Sequence, residues 1–469
     1  MSRVSTYIFS LFLGVLLCPA VVANDAPREA IRLSPDEAVE RAISNNLSLE
    51  SARVATEMRR RASDLSWNQF IPNVTIGGSF IRDDGRSTIS GLPPPVPPGM
   101  DVESTTSRMI IAGQIQASLT LNLAMFENMT RLRLDHEAGL ISYENAKLQL
   151  ERDIRKAYNN MLLLQENITV INDSFEAAQR RVQMAEANFR AGLAPELVFL
   201  QAQVAMENMR PVIDQVENGM RLSMARFAMF LGLPYDTLFE LEPVDTNINF
   251  IPFDIQELIS QAASGRPEIQ ELRHSILILQ SARRIQRNAL FPSLTLGWSG
   301  SPFPSFTRDV TERTVGPAPP STETLEIRGH LSSTFTISLG LRLHSLLPFS
   351  VDSQAIRALE DQTRIANIGL AMMIQGTEIE IYNTILALER TQATASALTQ
   401  TVNLAERSHR LTEEAYRAGL QDLLQVQNAE LELRQARVSM LEQQFNYLNG
   451  LIDLEYAIGV PFGTLSRGE

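Results

Sequence analysis

Two periodicities alternate along this chain. From Gln114 to Leu123, the apolar Ile115, Ala117, Leu119, Leu121 and Leu123 alternate with Gln114, Gln116, Ser118, Thr120 and Asn122. From Thr334 to Leu343, Phe335, Ile337, Leu339, Leu341 and Leu343 alternate with Thr334, Thr336, Ser338, Gly340 and Arg342. A period of two predicts strands with one oily and one wet face. Partner strands are expected where Val74, Ile76 and Phe80 alternate with Thr75, Gly77 and Ser79, and where Leu294, Leu296 and Trp298 alternate with Thr295, Gly297 and Ser299. Such strands suit a tilted bilayer crossing, although a half-buried sheet of a soluble domain has the same alternation. Segments 82–112 and 302–330 tip the balance. They hold Asp83-Asp84-Gly85, the proline run from Pro93 to Gly99, and Pro302, Pro304, Pro317, Pro319 and Pro320, and they read as the long outer loops of a membrane barrel. Four strands cannot close a barrel in lipid, where an open edge leaves backbone groups unpaired. Spanning therefore requires several copies of the chain.

The second periodicity is helical. Ile154, Ala157, Met161, Leu164, Ile168, Ile171, Phe175, Ala178, Val182, Ala185 and Phe189 step by three and four, the narrow seam of a coiled coil. A helix from about Arg131 to Arg190 would be a rod of roughly 90 Å. The corresponding line from Ile381 through Leu388, Ala395 and His409 to Tyr416 is more polar, so any gating motion is assigned to the second hairpin. Gly192 and Gly419 follow the rods, where glycine can reverse the chain. Helices return to Leu231 and Ile458, the first of them kinked at Pro211.

These elements occur twice. Ile71-Pro72-Asn73-Val74 recurs as Phe291-Pro292-Ser293-Leu294, 220 residues on, and Arg190-Ala191-Gly192-Leu193 as Arg417-Ala418-Gly419-Leu420, 227 residues on. Gly232-Leu233-Pro234 matches Gly459-Val460-Pro461 at the same distance of 227. Each half opens on a capped helix, Ser34 with Glu37 and Asp254 with Glu257, that ends before Pro72 or Pro292. The expected organisation is a signal peptide at 1–23, a first repeat at 24–250 and a second at 251–469. The first holds a β-hairpin at 73–123 and a long helical hairpin at 127–231; the second holds their counterparts at 293–343 and 351–458.

Composition narrows the chemistry. Arg3 and the apolar run from Ile8 to Leu17 read as a secretory leader cut after Ala23. The only cysteine, Cys18, lies within it; lipidation of Cys18 is an alternative that Leu17 and Pro19 fit badly. No later stretch offers the ~18 unbroken apolar residues of a spanning helix. With 41 Lys+Arg against 54 Asp+Glu, the formal charge of −13 speaks against a nucleic-acid partner. His136, His274, His330, His344 and His409 lack metal spacing, and there is no phosphate loop, dinucleotide fingerprint or nucleophile elbow. No enzyme, metal site or cofactor is expected.

The ordered set resembles the TolC-like outer membrane efflux proteins, also called outer membrane factors. The resemblance rests on Leu33-Ser34-Pro35-Asp36-Glu37-Ala38-Val39, the joint from Trp67 to Val74, Met125-Phe126-Glu127-Asn128, and Tyr416-Arg417-Ala418-Gly419-Leu420 through Asn428-Ala429. It implies an α+β membrane protein with long coiled-coil helices and four transmembrane strands per protomer. A homotrimer would form a 12-stranded β-barrel in outer-membrane lipid, continued by a periplasmic α-helical barrel. It further implies the exit duct of a tripartite efflux pump or type I secretion system, served by a periplasmic adaptor and an inner-membrane pump. Gly192, Leu193, Gly419 and Leu420 would be the periplasmic tips where the adaptor docks. Glu196, Asp422, Gln425 and Asn428 are the candidates for a lumen constriction. The last two stand where some members carry aspartates, which puts an acidic ring in doubt. Gln114, Gln116, Ser118, Thr120, Thr334, Thr336 and Ser338 would line the barrel lumen. The alternative is a periplasmic coiled-coil scaffold without channel activity.

Overall fold

The computed structural model describes residues 31–89, 102–246, 254–301, 305–315, 319–329 and 332–467. The expected leader with Cys18, the run from Pro93 to Gly99, Pro302, Pro304, Pro317 and His330 lie outside them.

The chain begins with a short strand β1 (Ile31–Leu33) and helices α1 (Pro35–Asn45) and α2 (Leu47–Asp64). Strands β2 (Asn73–Ile89) and β3 (Val102–Leu121) lead into α3 (Leu123–Arg190), which returns as α4 (Glu196–Glu207) and α5 (Arg210–Phe230). After β4 (Phe239–Leu241), the order helix, helix, strands, long helix and return begins again. It runs through α6 (Ile255–Gly265), α7 (Pro267–Asn288), β5 (Ser293–Ser301), β6 (Phe306–Val315), β7 (Ser321–Arg328), β8 (Ser332–Gly340), α8 (Val351–Arg417) and α9 (Leu423–Ile458). A last turn, α10 (Thr464–Arg467), follows.

Two compact units draw on both halves. Among the described residues, one comprises 31–46, 153–246 and 393–449, and the other the rest. In the first, β1 pairs in parallel with β4, and the hydroxyl of buried Tyr158 lies 2.8 Å from the carbonyl oxygens of both Leu33 and Glu242. The second carries a six-stranded sheet.

The sheet corrects the expected loops. Most of 82–112 belongs to β2 and β3, and most of 302–330 to β6 and β7. Asp83-Asp84-Gly85 looks like a turn by composition, but the ladder from Asn73 to Ile89 pairs every one of these residues with β3. Asp84 finds its own partners there, accepting from Ser107 at 2.5 Å and from Arg82 at 3.0 Å. Strand propensity yields to such context. One edge of β3 carries β2; the other carries β5 along Ile115–Leu121 and β6 along Val102–Ile111. Because β8 pairs with β5 and β7 with β6, the sheet is four strands wide along most of its height, β2-β3-β5-β8 at one end and β2-β3-β6-β7 at the other. At the far end, β8 stops at Gly340, so Leu341 and Leu343 leave the alternation for a tight turn at Leu343–Leu346.

The helices also differ from expectation. The rods are 68 and 67 residues long, since α3 starts directly after the sheet. Each opening helix is broken once, at Asn46 and at Arg266, both extended with ψ near 120°. Pro267 pushes Arg266 out of the helical region, whereas Asn46 donates its side-chain amide to the Phe230 carbonyl at 2.9 Å. Ser34 and Glu37 form the full capping box, and Asp254 accepts from the Gln256 and Glu257 amides.

Candidate functional site

Two regions carry the predicted residues. In the sheet, register collects the apolar side chains in rows. Val74, Ala117, Trp298 and Phe335 lie side by side, as do Leu119, Leu296 and Ile337, and Leu121, Leu294 and Leu339. Among the described residues nothing covers this face: Ile76 is 80% exposed, Leu339 75% and Phe335 64%. A soluble half-buried sheet would have buried them, because a contiguous apolar patch of this size needs an apolar neighbour. Charge first appears on this face at Arg328, at the end of the row of Phe80, Ile111 and Phe306, and the next row contains Arg82 and Arg308, both paired with Met109. From Leu121 to Ile111 the band is ~33 Å along the strand, roughly 25 Å high at the tilt of barrel strands. That matches the hydrocarbon height of outer-membrane barrels.

The opposite face is wet. Thr75, Gln116, Ser299 and Thr334 form one row, and Asn73, Ser118, Gly297 and Thr336 the next. Thr120, Thr295 and Ser338 form a third, with the two threonine hydroxyls 3.2 Å apart. Gln114 pairs with Gly77 on this same face. All seven residues predicted to line a lumen thus share one surface.

The second region is the pair of reversals. Gly192 and Gly419 take φ of +71° and +73°, which an L side chain rarely adopts. In each turn two amides bond back across the helix end: Gly192 to Phe189 and Leu193 to Asn188, Gly419 to Tyr416 and Leu420 to Ala415, all at 2.8–2.9 Å. These are Schellman closures, which satisfy the last carbonyls of the rods. Arg190 and Arg417 reinforce the two helix ends by pairing with Glu186 and Glu413 at 2.6 and 2.7 Å. Beneath the turns Ala185, Ala202 and Leu423 are buried, with Val182, Val198, Phe199 and Tyr416 packed on them. A groove lined by Leu193, Pro195, Val198, Tyr416, Gly419 and Asp422 brings the two turns together, while Leu193 and Leu420 stay 79% exposed.

The four constriction candidates fall differently. Asp422 caps α9, its carboxylate accepting from the Gln425 amide at 3.0 Å. Glu196 occupies the first turn of α4, where the helix dipole favours an anion. Gln425 and Asn428 are exposed and share a stripe of α9 opposite the buried Leu423, Val426 and Ala429. Asp422 therefore has a local structural role as a cap, and the exposed stripe carries neutral amides at Gln425 and Asn428.

Sequence reading missed the ion pair that links the hairpins here. Arg181 of α3 meets Glu430 of α9, with only 8% and 14% of their side chains exposed. Arg181 sits directly before Val182 of the seam, so a heptad count passes over it. The return helices differ as well. Asn208 and Met209 separate α4 from α5, since Pro211 cannot supply an amide, whereas α9 is unbroken over 36 residues. Among the described residues no group of acids and histidines could hold a metal, and no helix is long and apolar enough to cross a membrane.

The chain matches the family model described as outer membrane efflux protein over residues 38–232 and 258–460. It is 22% identical over 438 residues to nodulation protein T of Rhizobium leguminosarum bv. trifolii, covering 92% of this chain and 86% of that protein. Among solved structures it resembles the Campylobacter jejuni CmeC outer membrane channel, with a TM-score of 0.66 at 16% identity over 91% of this chain and 85% of that one. It equally resembles the outer membrane protein VceC of Vibrio cholerae, with a TM-score of 0.66 at 15% identity over 91% and 96% of the two chains.

Proposed function

This chain belongs to the outer membrane efflux protein family, and from that footing we propose how its parts work as an outer-membrane exit duct. Three copies close one barrel. The sheet has a free edge along β2 and another along β7 and β8, and four strands from each copy give the 12 of a complete ring. Joining these unlike edges head to tail leaves no unpaired backbone in lipid. The apolar rows then face hydrocarbon, and Gln114, Gln116, Ser118, Thr120, Thr334, Thr336 and Ser338 line a water-filled lumen. The long helices continue the passage on the periplasmic side. The turns at Gly192-Leu193 and Gly419-Leu420 meet a periplasmic adaptor, which couples the duct to an inner-membrane pump. Gln425 and Asn428 narrow the passage with amides rather than charge. The duct performs no covalent chemistry; cargo moves through it on the energy of the pump.

The observation that carries this reading is the uncovered apolar face beside two free sheet edges. No finding favours the scaffold alternative. Cysteine accessibility tests the reading, because the only native cysteine lies in the expected leader. In the purified trimer, Thr336→Cys should react with a bulky charged thiol reagent that enters the barrel from outside, and Ile337→Cys in lipid should not. Equal labelling of both, together with bilayers that pass no current, would sink the channel reading.

A further inference from the structure

The wet face of the sheet stays free of large apolar side chains from Thr120 up to Ser79, and then changes abruptly. Ile81 pairs with Ile110, Ile110 with Thr307, and Thr307 with Ile327. Residues two apart on a strand share a face, so Ile81 lies with Thr75, Gly77 and Ser79, and Ile110 with Gln114 and Gln116. Ile81 and Ile110 each have another apolar residue beside them on the lipid face, Phe80 next to Ile81 and Ile111 next to Ile110, whereas Ile327 stands between Glu326 and Arg328. On β2 and β3, therefore, both faces are apolar at this level. Ile81 is 50% exposed and Ile327 48%.

The next row outward on the wet face is Asp83, Arg108, Asp309 and Leu325. Asp309 holds the Arg108 guanidinium through two bonds of 2.9 and 3.1 Å. Asp83 is the second carboxylate of that row, and it leaves the row with one net negative charge. Leu325 extends the apolar patch, at 54% exposed.

Large aliphatic side chains left half exposed on a polar surface mark a place where something apolar is met. We propose that the Ile81–Ile110–Ile327 row is a contact site for the apolar part of amphipathic cargo leaving the duct. Asp83 faces the cationic end of that cargo. The class of ligand is an amphipathic organic cation, and three copies place three such rows around one mouth. Contact is one-sided and open to water, which keeps residence short enough for passage. This inference rests on the wet face being the lumen.

Single-channel recording on the purified trimer tests it, with alkyltrimethylammonium ions of increasing chain length added on the barrel side. In the wild-type trimer, residence of the blocker should lengthen roughly twofold per methylene, half the free energy that complete burial gives. The triple variant Ile81→Thr, Ile110→Thr, Ile327→Thr keeps β-branched residues in the strands. It should conduct normally and lose the dependence on chain length. Asp83→Asn should shorten block by every one of these cations by a similar factor and should not shorten block by alkyl sulfates of matched length, whose head group the carboxylate repels. Equal chain-length slopes in the wild type and the triple variant would overturn the proposal. A wild-type trimer that passes no current sinks the channel reading, and this inference with it.

Discussion

Gly232, the residue that closes α5, stands so close to the Asn45 carbonyl that a Cβ could not be placed between them. Its counterpart Gly459 closes α9 against Gly265, where a Cβ would lie 2.9 Å from the carbonyl carbon. These two glycines repeat the Schellman closure of Gly192 and Gly419, yet around the latter nothing lies within 4 Å of a built Cβ. One pair of turns is wedged against an opening helix and the other is sterically open. Gly192→Ala should therefore cost only the left-handed backbone, about 1–2 kcal/mol. Gly232→Ala adds a backbone collision and should lower both trimer yield and melting temperature far more. Thermal melts of the two extracted variants, side by side, check the order.

At the open turn the expected loss is of function. Gly419→Val should still assemble into trimers, because nothing lies within 4 Å of a Cβ built at Gly419, but its left-handed φ is unavailable to a β-branched side chain. Export in cells should fall to background with trimer abundance unchanged. Normal export would remove the tips from adaptor docking.

The Arg181–Glu430 pair predicts non-additivity. Each single alanine variant leaves a buried charge without its partner and should destabilise by about 3–5 kcal/mol. Arg181→Met with Glu430→Leu removes both charges at similar volume and should recover most of that loss, the more so because Glu430 Oε1 accepts no hydrogen bond among the described residues. A double-mutant cycle by denaturant titration measures the coupling. Additive losses would show that the pair contributes nothing across the hairpins.

Depth and face in the sheet can be separated with arginine. Ala117→Arg sits in the row of Trp298, within the apolar band, and should lose about 2–4 kcal/mol if that row lies in hydrocarbon. Gln116→Arg, one residue away on the wet face, should insert normally. Heat-resistant trimer in outer-membrane fractions reports the difference.

Glu268 gives a pH dependence. Burial raises its pKa, but the Tyr456 hydroxyl against one oxygen and Arg266 at 3.2 Å from the other outweigh that and hold it below the usual glutamate value. A carboxylate depressed in this way stabilises the fold above its unfolded pKa of about 4.3, and the benefit is lost as pH falls through the folded value. Wild type should melt above Glu268→Gln at neutral pH, and the gap should close as pH drops below ~4. A gap that persists in acid would assign the difference to packing.

What the sequence makes legible is whatever repeats. Alternation from Gln114 to Leu121 and from Thr334 to Leu339 places every lumen candidate on one face, and the seam through Ile154, Met161 and Ala185 runs along residues the fold buries. Pro211 announces the break between α4 and α5 because a missing amide is a local fact. How far each pairing extends is not legible. Asp83 and Asp84 extend only because β3 lies alongside, and no window of the sequence contains both strands. Asp422 shows the converse limit: a carboxylate near a turn reads as lumen charge or as a helix cap, and only the bond to Gln425 distinguishes them.

The unlike free edges of the sheet bear on heredity as much as on structure. A ring joined head to tail accepts any copy that presents one sound edge, so a variant with a single damaged edge still enters assemblies and spoils them. If half of the copies synthesised were of this kind, only about one ring in eight would be whole. Alleles that damage β2 alone, or β8 alone, should therefore be dominant over the wild type, whereas a copy that never folds should be recessive.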